Sequence, residues 1–345
     1  MQHHQAIIVG AGPIGLELAV CLRHAGTDVL HLEAAAIGQT ITWYPKQARF
    51  FSSPERIAIA GVPLVSADQA KASREEYLAY LRSVVQQFEL PIATHEPVRQ
   101  IARDATTDTF TIKSSKRSVT CDHLVLAIGD MHQPRRINVP GEDLPHVSHY
   151  FDEPHAYFGR ALLIVGGRNS AVEAALRCHR AGAKVSISYR GQAFSESSIK
   201  YWLLPEIKAL IKHGQIRFYP QTIVKQITDT RVELQHTEGG EARDIPADHV
   251  LLLTGYQQDQ TLLRMAGVEL TGENLAPSVD PHTMQTSVPN LYIAGTAAAG
   301  TQNRFKLFIE NCHSHAAKIA TAITGQAPPG RLINDAAKTY GLAES

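Results

Sequence analysis

The feature that most constrains this chain is a glycine-rich turn that occurs twice, each time between an apolar strand and a helix. The two copies are Ile7-Ile8-Val9-Gly10-Ala11-Gly12-Pro13-Ile14-Gly15 and Leu163-Ile164-Val165-Gly166-Gly167-Arg168-Asn169-Ser170-Ala171. In such a turn the first glycine makes the tight bend, the second lets the backbone approach a pyrophosphate, and the third allows close helix–strand packing. The helix N-terminus then offers its unpaired N–H groups to the phosphates. Gly10, Gly12 and Gly15 fill all three positions, a helical run follows over 16–25, and a second strand over 28–32 leads into Glu33. A carboxylate about 20 residues beyond the first glycine suits the two hydroxyls of an unphosphorylated adenosine ribose, as in FAD or NAD.

The second copy departs from that pattern. Arg168 stands where the middle glycine is expected, and the strand over 184–189 leads into Arg190 where an acid would mark NAD. Arg190 with Lys200 reads as a clamp for the 2′-phosphate of NADPH, which cationic groups attract and a carboxylate would repel. The alternative is two solvated surface charges. Two dinucleotide sites imply electrons passing from a nicotinamide to a flavin. No Cys-x-x-Cys is present, so the protein dithiol that commonly carries such electrons onward is missing.

The expected fold is α/β, with two Rossmann-like, three-layer domains, the second inserted in the first. Residues 1–130 and 256–345 are assigned to FAD and 131–255 to NADPH. A length of 345 residues suits two cores of ordinary size. With 33 basic and 33 acidic residues there is no charge excess and no basic tract to attract nucleic acid or an anionic membrane. No apolar segment reaches the roughly 18 residues needed to span a bilayer, and the first strand begins near the N-terminus, so a cytoplasmic protein is expected. Cys21, Cys121, Cys178 and Cys312 are too scattered for a zinc site or a disulfide framework. His3-His4, the group His146, His149 and His155, and His313 with His315 lack converging ligand spacing, and no metal is expected.

Between the turns, Ser73-Arg74-Glu75-Glu76 reads as a capping box opening a helix with the face Tyr77, Tyr80, Leu81, Val84, Val85 and Phe88. Strand signals follow near 98–101, 110–112 and 118–120, Cys121 begins a strand, and a buried strand is read over 124–129, ending in Gly129. Pro134, Pro140, Gly141, Pro145 and Pro154 mark a stiff crossover. The second unit runs from about Gly159 to Gly255. The chain then returns through a strand over 290–295, ending in Gly295, and a long helix over 305–323.

Across its whole length this order of elements is similar to the two-dinucleotide-domain flavoproteins of the thioredoxin reductase type. Local strings narrow the likeness: Tyr44-Pro45 with Phe50-Phe51-Ser52-Ser53, Gly166 to Ala175, Tyr189-Arg190-Gly191, Ser198-Ile199-Lys200 and Phe308-Ile309-Glu310-Asn311 resemble the bacillithiol disulfide reductase (YpdA) family. The resemblance implies a homo-oligomer, dimer or tetramer, that holds FAD and NADPH and reduces a low-molecular-weight disulfide. The flavin contacts it implies are Gly10, Gly12, Pro13, Ile14, Gly15, Glu33, Gln39, Thr42, Phe51, Gly129, Gly295, Phe305 and Lys306. For NADPH they are Gly166, Gly167, Arg168, Asn169, Ser170, Arg190 and Lys200. No catalytic side chain is assigned.

Two departures from the family matter, the first for the substrate and the second for the flavin. Members that reduce bacillithiol disulfide carry a cysteine where this chain has Ile14, and isoleucine cannot form a mixed disulfide. Thr296 follows Gly295 where wider relatives have an aspartate that binds the ribityl chain. Cys312, two turns beyond Phe305-Lys306, reads as a buried helix residue rather than a substitute thiol, and Cys21 and Cys178 read the same way. Reduced flavin is therefore expected to meet its acceptor directly, beside the aromatic loop with Trp43, Tyr44, Phe50 and Phe51. The acceptor is a small disulfide, a quinone or a small redox protein. Three other readings remain open: a ferredoxin or flavodoxin reductase, a non-catalytic redox sensor, and a flavin monooxygenase. The last is suggested by the linker from Val139 to His146, a partial Phe-x-Gly-x-x-x-His signature.

Overall fold

The computed structural model describes residues 1–196, 199–303 and 306–334, and the chain divides into two compact units. The first comprises Met1–Trp43, Gln47–Gln133 and the chain from Tyr256 onward; the second comprises Tyr44–Lys46 and Pro134–Gly255. Phe305 and Ser198 lie outside the described residues.

The first unit opens with β1 (Gln2–Val9), α1 (Pro13–His24) and β2 (Val29–Leu32). Pro13 occupies the first helical turn, where its missing N–H leaves no bond unmade. Two short helices follow, α2 (Gln39–Thr42) and α3 (Pro54–Ile57), then α4 (Arg74–Gln87). The expected capping box is present: Glu76 N donates to Ser73 Oγ at 3.2 Å and Ser73 N donates to the Glu76 carboxylate at 2.7 Å. α4 buries Tyr77, Tyr80, Leu81 and Val84. The strands β3 (Ile92–Ala93), β4 (Val98–Asp104), β5 (Thr109–Ser114) and β6 (Ser118–Leu126) complete this stretch.

These strands form one sheet in the order β3-β2-β1-β6-β5-β4. Where two strands were expected, over 118–120 and 124–129, there is one, β6, and Cys121 lies within it. The reason is a change of neighbour. The first half of β6 pairs antiparallel with β5, and Leu124, Val125 and Leu126 then pair parallel with the last strand of the unit. Asp122 and His123 fall at the change and break the apolar pattern.

The chain crosses to the second unit at β7 (Gln133–Pro134), and β8 (Val147–Ser148) already belongs to that unit's sheet, earlier than the expected start near Gly159. Next come β9 (Ala161–Val165), α5 (Asn169–Arg180), β10 (Lys184–Tyr189), α6 (Leu204–Lys212) and β11 (Arg217–Pro220). Then follow β12 (Thr222–Ile227), β13 (Arg231–His236), β14 (Arg243–Pro246) and β15 (His249–Leu252). The parallel sheet has the order β11-β10-β9-β15-β8. Leu162, Ile164, Val185 and Ile187 of this sheet pack with α5 and α6, while Leu163, Val250 and Leu252 meet Val224, Val232, Leu234 and Ile245 of the antiparallel β12–β14 sheet. Helices, parallel sheet and antiparallel sheet make three layers.

The return passes through β16 (Tyr256–Gln257), α7 (Thr261–Met265), the pair β17 (Leu270–Thr271) and β18 (Ala276–Pro277), and β19 (Leu291–Ile293), which adds to β6. α8 (Ile309–Thr324) packs against α1. The helix starts at Ile309, later than the expected 305, because the Asn311 side chain folds back on the preceding segment. It accepts from Phe308 N and donates to Lys306 O, both at 2.8 Å. Among the described residues no helix is long and apolar enough to cross a membrane.

Candidate nucleotide sites

At the first turn Gly10 has φ +108°, and its N–H donates to Leu32 O at 2.8 Å. A Cβ on Gly10 would collide with Ala127 O, and one on Gly15 with Gly10 O, so packing alone demands glycine at both. Gly12 differs: a Cβ there would meet nothing within 4 Å. The fold has no need of glycine at position 12, and the open cradle it leaves at the N-terminus of α1 fits a pyrophosphate backbone approach.

Glu33 is 8% exposed and braces this turn, accepting from Ala11 N at 2.7 Å and from Ala35 N at 2.9 Å. A carboxylate offers about four acceptor positions, so lone pairs remain for ribose hydroxyls. His31 lies beneath, its Nε2 2.9 Å from Gly10 O. Burial pulls its pKa down to about 4, so the neutral ring donates to that carbonyl. Gly38 N donates to Ala11 O at 3.0 Å, which joins α2 to the turn. In α2, Thr42 Oγ1 donates to Gln39 O at 2.6 Å, and Gln39 Oε1 accepts from Ala36 N at 3.3 Å. Phe51 is half-buried; its carbonyl accepts from the Lys71 ammonium, which also lies 5.0 Å from its ring centre.

The strand ends beside this turn carry a polar cluster that sequence reasoning missed. Ile14 is buried, 3.3 Å from where a Gly295 Cβ would stand. Gln258 Nε2 donates to both Gly129 O and Ala297 O at 2.9 Å. Asp130 is buried, accepts from Gln302 Nε2 at 2.9 Å and is hydrogen-bonded to Thr296; burial pushes its carboxyl pKa up. Gln302 Oε1 in turn accepts from Lys306 N at 2.7 Å and Leu307 N at 3.0 Å. The only sequence signal was an aspartate directly after a strand-ending glycine, which is also the pattern of an exposed turn.

The second turn repeats the frame with different chemistry. Gly166, φ +146°, donates to Ser188 O at 2.9 Å, and its Cβ would stand 2.5 Å from Leu253 O. Val9 pairs with Leu32 and Val165 with Ser188, so Tyr189, not Arg190, occupies the position of Glu33, and Arg190 lies one residue further on. The Tyr189 ring covers Gly167, where a Cβ would collide with it. Arg168 precedes α5 and is exposed, as are Ser170 and Arg190. Asn169 Oδ1 accepts from Lys200 N at 2.7 Å, but the Lys200 ammonium sits 3.5 Å from Glu173 Oε2 and 5.6 Å from the Trp202 ring centre. Arg135 also lies near Arg168 and Arg190, and its guanidinium is held below its ordinary pKa by burial and then by those two charges.

All four cysteines are unpaired and buried. Burial pushes the thiols of Cys21, Cys121 and Cys178 up to about 12, and that of Cys312 up as well. Since the thiolate is the attacking form, none is poised as a nucleophile at neutral pH. Gly141 in the linker is explained by packing, because a Cβ there would collide with Ile227 O. Among the described residues no group of three His, Cys, Asp or Glu could hold a metal ion.

Comparison with known proteins fits this geometry. The family described as pyridine nucleotide-disulphide oxidoreductase matches residues 7–295. The bacilliredoxin reductase Bdr of Bacillus subtilis is 38% identical over 94% of this chain and 98% of its own. The structure of the bacillithiol disulfide reductase Bdr (YpdA) from Staphylococcus aureus aligns with a TM-score of 0.88 at 36% identity, covering 94% of this chain and 99% of that one. A ferredoxin–NADP reductase of Ignicoccus hospitalis is 27% identical over 84% of this chain and 88% of its own.

Proposed function

The chain belongs to the pyridine nucleotide-disulphide oxidoreductases, in the branch of the bacilliredoxin and bacillithiol disulfide reductases, and from that premise we propose that it passes electrons from NADPH through FAD to a small disulfide without a relay thiol of its own. Members of this family are FAD-containing, NAD(P)H-dependent oxidoreductases, and so is this enzyme. The two cofactors supply the hydride and electron chemistry; the chain binds, orients and shields them.

The observation that carries the reading is the contrast between the turns: an open glycine cradle braced by Glu33 in one, and a cradle rimmed with arginines in the other. Gly10, Gly12, Pro13, Ile14, Gly15, Glu33, Gln39, Thr42, Phe51, Gly129, Gly295 and Lys306 form the FAD side. Gly166, Gly167, Arg168, Asn169, Ser170, Arg190 and Lys200 form the NADPH side, and the Lys200 backbone N–H also donates to Asn169 Oδ1. The net reaction is disulfide plus NADPH plus a proton, giving two thiols and NADP+. Burial of all four cysteines, together with Ile14, supports direct transfer to the acceptor.

That same absence of an accessible thiol favours one other reading, transfer to a small redox protein, and ferredoxin–NADP reductases are among the relatives. NADPH oxidation by the flavin-loaded protein, followed against bacillithiol disulfide, other small disulfides, quinones and a ferredoxin, decides between them. Disulfide turnover that persists when all four cysteines are replaced supports the first reading. Turnover with ferredoxin alone supports the second. The reading includes a cytoplasmic homo-oligomer, dimer or tetramer, which light scattering tests for size.

A further inference from the structure

Arg135 lies outside both glycine-rich turns, yet the fold brings it to the second. Its N–H donates to Gly255 O at 2.9 Å, its carbonyl accepts from Thr254 Oγ1 at 2.6 Å, and its Cδ stands 3.9 Å from where a Gly255 Cβ would be. Gly255 lies three residues past the end of β15, and two residues before it Leu253 O closes on Gly166. Arg135 is thus fixed on the β15 side of the turn, Arg168 at its tip, and Arg190 on the β10 side, just past the Tyr189 ring that covers Gly167. Burial first, and then the charges of Arg168 and Arg190, lower the Arg135 pKa, so each of the two is close enough to be felt.

The first unit gives the control. Ala127 N donates to Val9 O there as Leu253 N donates to Val165 O here, so Gly129 and Gly255 occupy the same place. The neighbour of Gly129 is the neutral Thr296 hydroxyl, and Gly12 stands where Arg168 does. Arg135 feels the charges of both Arg168 and Arg190, and an anion that reaches both sides of the turn is attracted by all three guanidiniums. A pyridine dinucleotide phosphate has that shape, with a diphosphate over the turn and a 2′-phosphate beyond the β10 end.

Resting on the NADPH reading above, we propose that Arg135 contacts the diphosphate of the pyridine nucleotide, dividing the labour with Arg190, which reads the 2′-phosphate. Diphosphate is common to both nucleotides. Arg135→Ala therefore weakens NADP+ and NAD+ by the same factor, about tenfold or more for a lost charge-assisted contact, whereas Arg190→Ala weakens NADP+ selectively. Arg135→Lys recovers part of the loss.

Titration calorimetry of the flavin-loaded protein with NADP+ and with NAD+, at low and high salt, measures this without turnover. An unchanged flavin spectrum and unfolding temperature show that each variant is folded. Parallel loss for both nucleotides in Arg135→Ala, shrinking with salt, is the expected result. Unchanged affinity for both, or a loss confined to NADP+, overturns the assignment of Arg135. Wild-type protein that binds neither nucleotide sinks the NADPH reading itself, which separates the two failures.

Discussion

The two turns share one backbone and differ in what covers it. In the first, Glu33 accepts from Ala11 N; in the second, the residue in register with Glu33 is Tyr189, whose ring lies on Gly167. One scaffold thus presents a small acidic brace at one site and an aromatic lid followed by Arg190 at the other. The strand–turn–helix frame provides a place for phosphate, and the one or two residues after the second strand decide which nucleotide fits.

The largest effect that tests this contrast lies in the glycines. Gly10→Ala places a Cβ against Ala127 O at φ +108° and should prevent the first unit from folding stably. Gly12→Ala, with nothing within 4 Å, should fold normally yet lose flavin. Thermal unfolding of the flavin-free proteins separates the two, and equal destabilisation would show that Gly12 serves packing. Next in size, Arg190→Ala should weaken NADPH over NADH by roughly 10- to 100-fold, the span of a lost charge-assisted bond. Equal loss for both would remove Arg190 from 2′-phosphate recognition.

Ile14→Cys should produce a smaller change, a several-fold gain in bacillithiol disulfide turnover, on the order of 1 kcal/mol in barrier. Cys312→Ser, at a buried thiol whose pKa burial raises, should leave that rate unchanged. Stopped-flow reoxidation of the flavin reads both, and an Ile14→Cys protein no faster than wild type would show that a thiol at the turn is not limiting.

The smallest effect concerns pH. His313 is buried in the first unit, its Nδ1 2.7 Å from Glu17 Oε2 and its Nε2 2.9 Å from Arg56 O. Although burial lowers its pKa, the charge and hydrogen bond of Glu17, together with the Arg56 carbonyl and the charge of Glu310, raise it overall. A raised folded pKa stabilises fully below the unfolded value of about 6.5, and the gain fades as pH climbs through the folded value. The first unit should therefore lose a little stability on moving from pH 6 to 8, and His313→Gln should flatten that slope in denaturant titrations.

Much of this was legible in the sequence, because glycines with forced geometry and apolar strands leave strong local signals. Gly10, Gly15 and Gly166, the Ser73–Glu76 box and the strand ending at Tyr189 are all of that kind. What the sequence hid depends on pairing across distance. The role of Tyr189 follows from register rather than spacing, β6 was split because its neighbour changes midway, and Arg135 is brought to the turn by its bonds to Thr254 and Gly255. The ion pair of Lys200 with Glu173 is of the same kind, since nothing local announced it.

The first unit is stitched from both ends of the chain, and this sets an order of events during synthesis. β19 joins β6, α8 lies on α1, and Asn334 donates through its backbone to Glu17 and through its side chain to Glu55 O and Ala58 O. Residues 134–255, by contrast, supply nearly all of the second unit in one stretch. On the ribosome the inserted unit can close while the earlier strands still wait, with the Leu124–Leu126 edge of β6 unpaired, for a partner made much later. Contacts of such long range are slow to form, so the first unit is expected to close later than the inserted one.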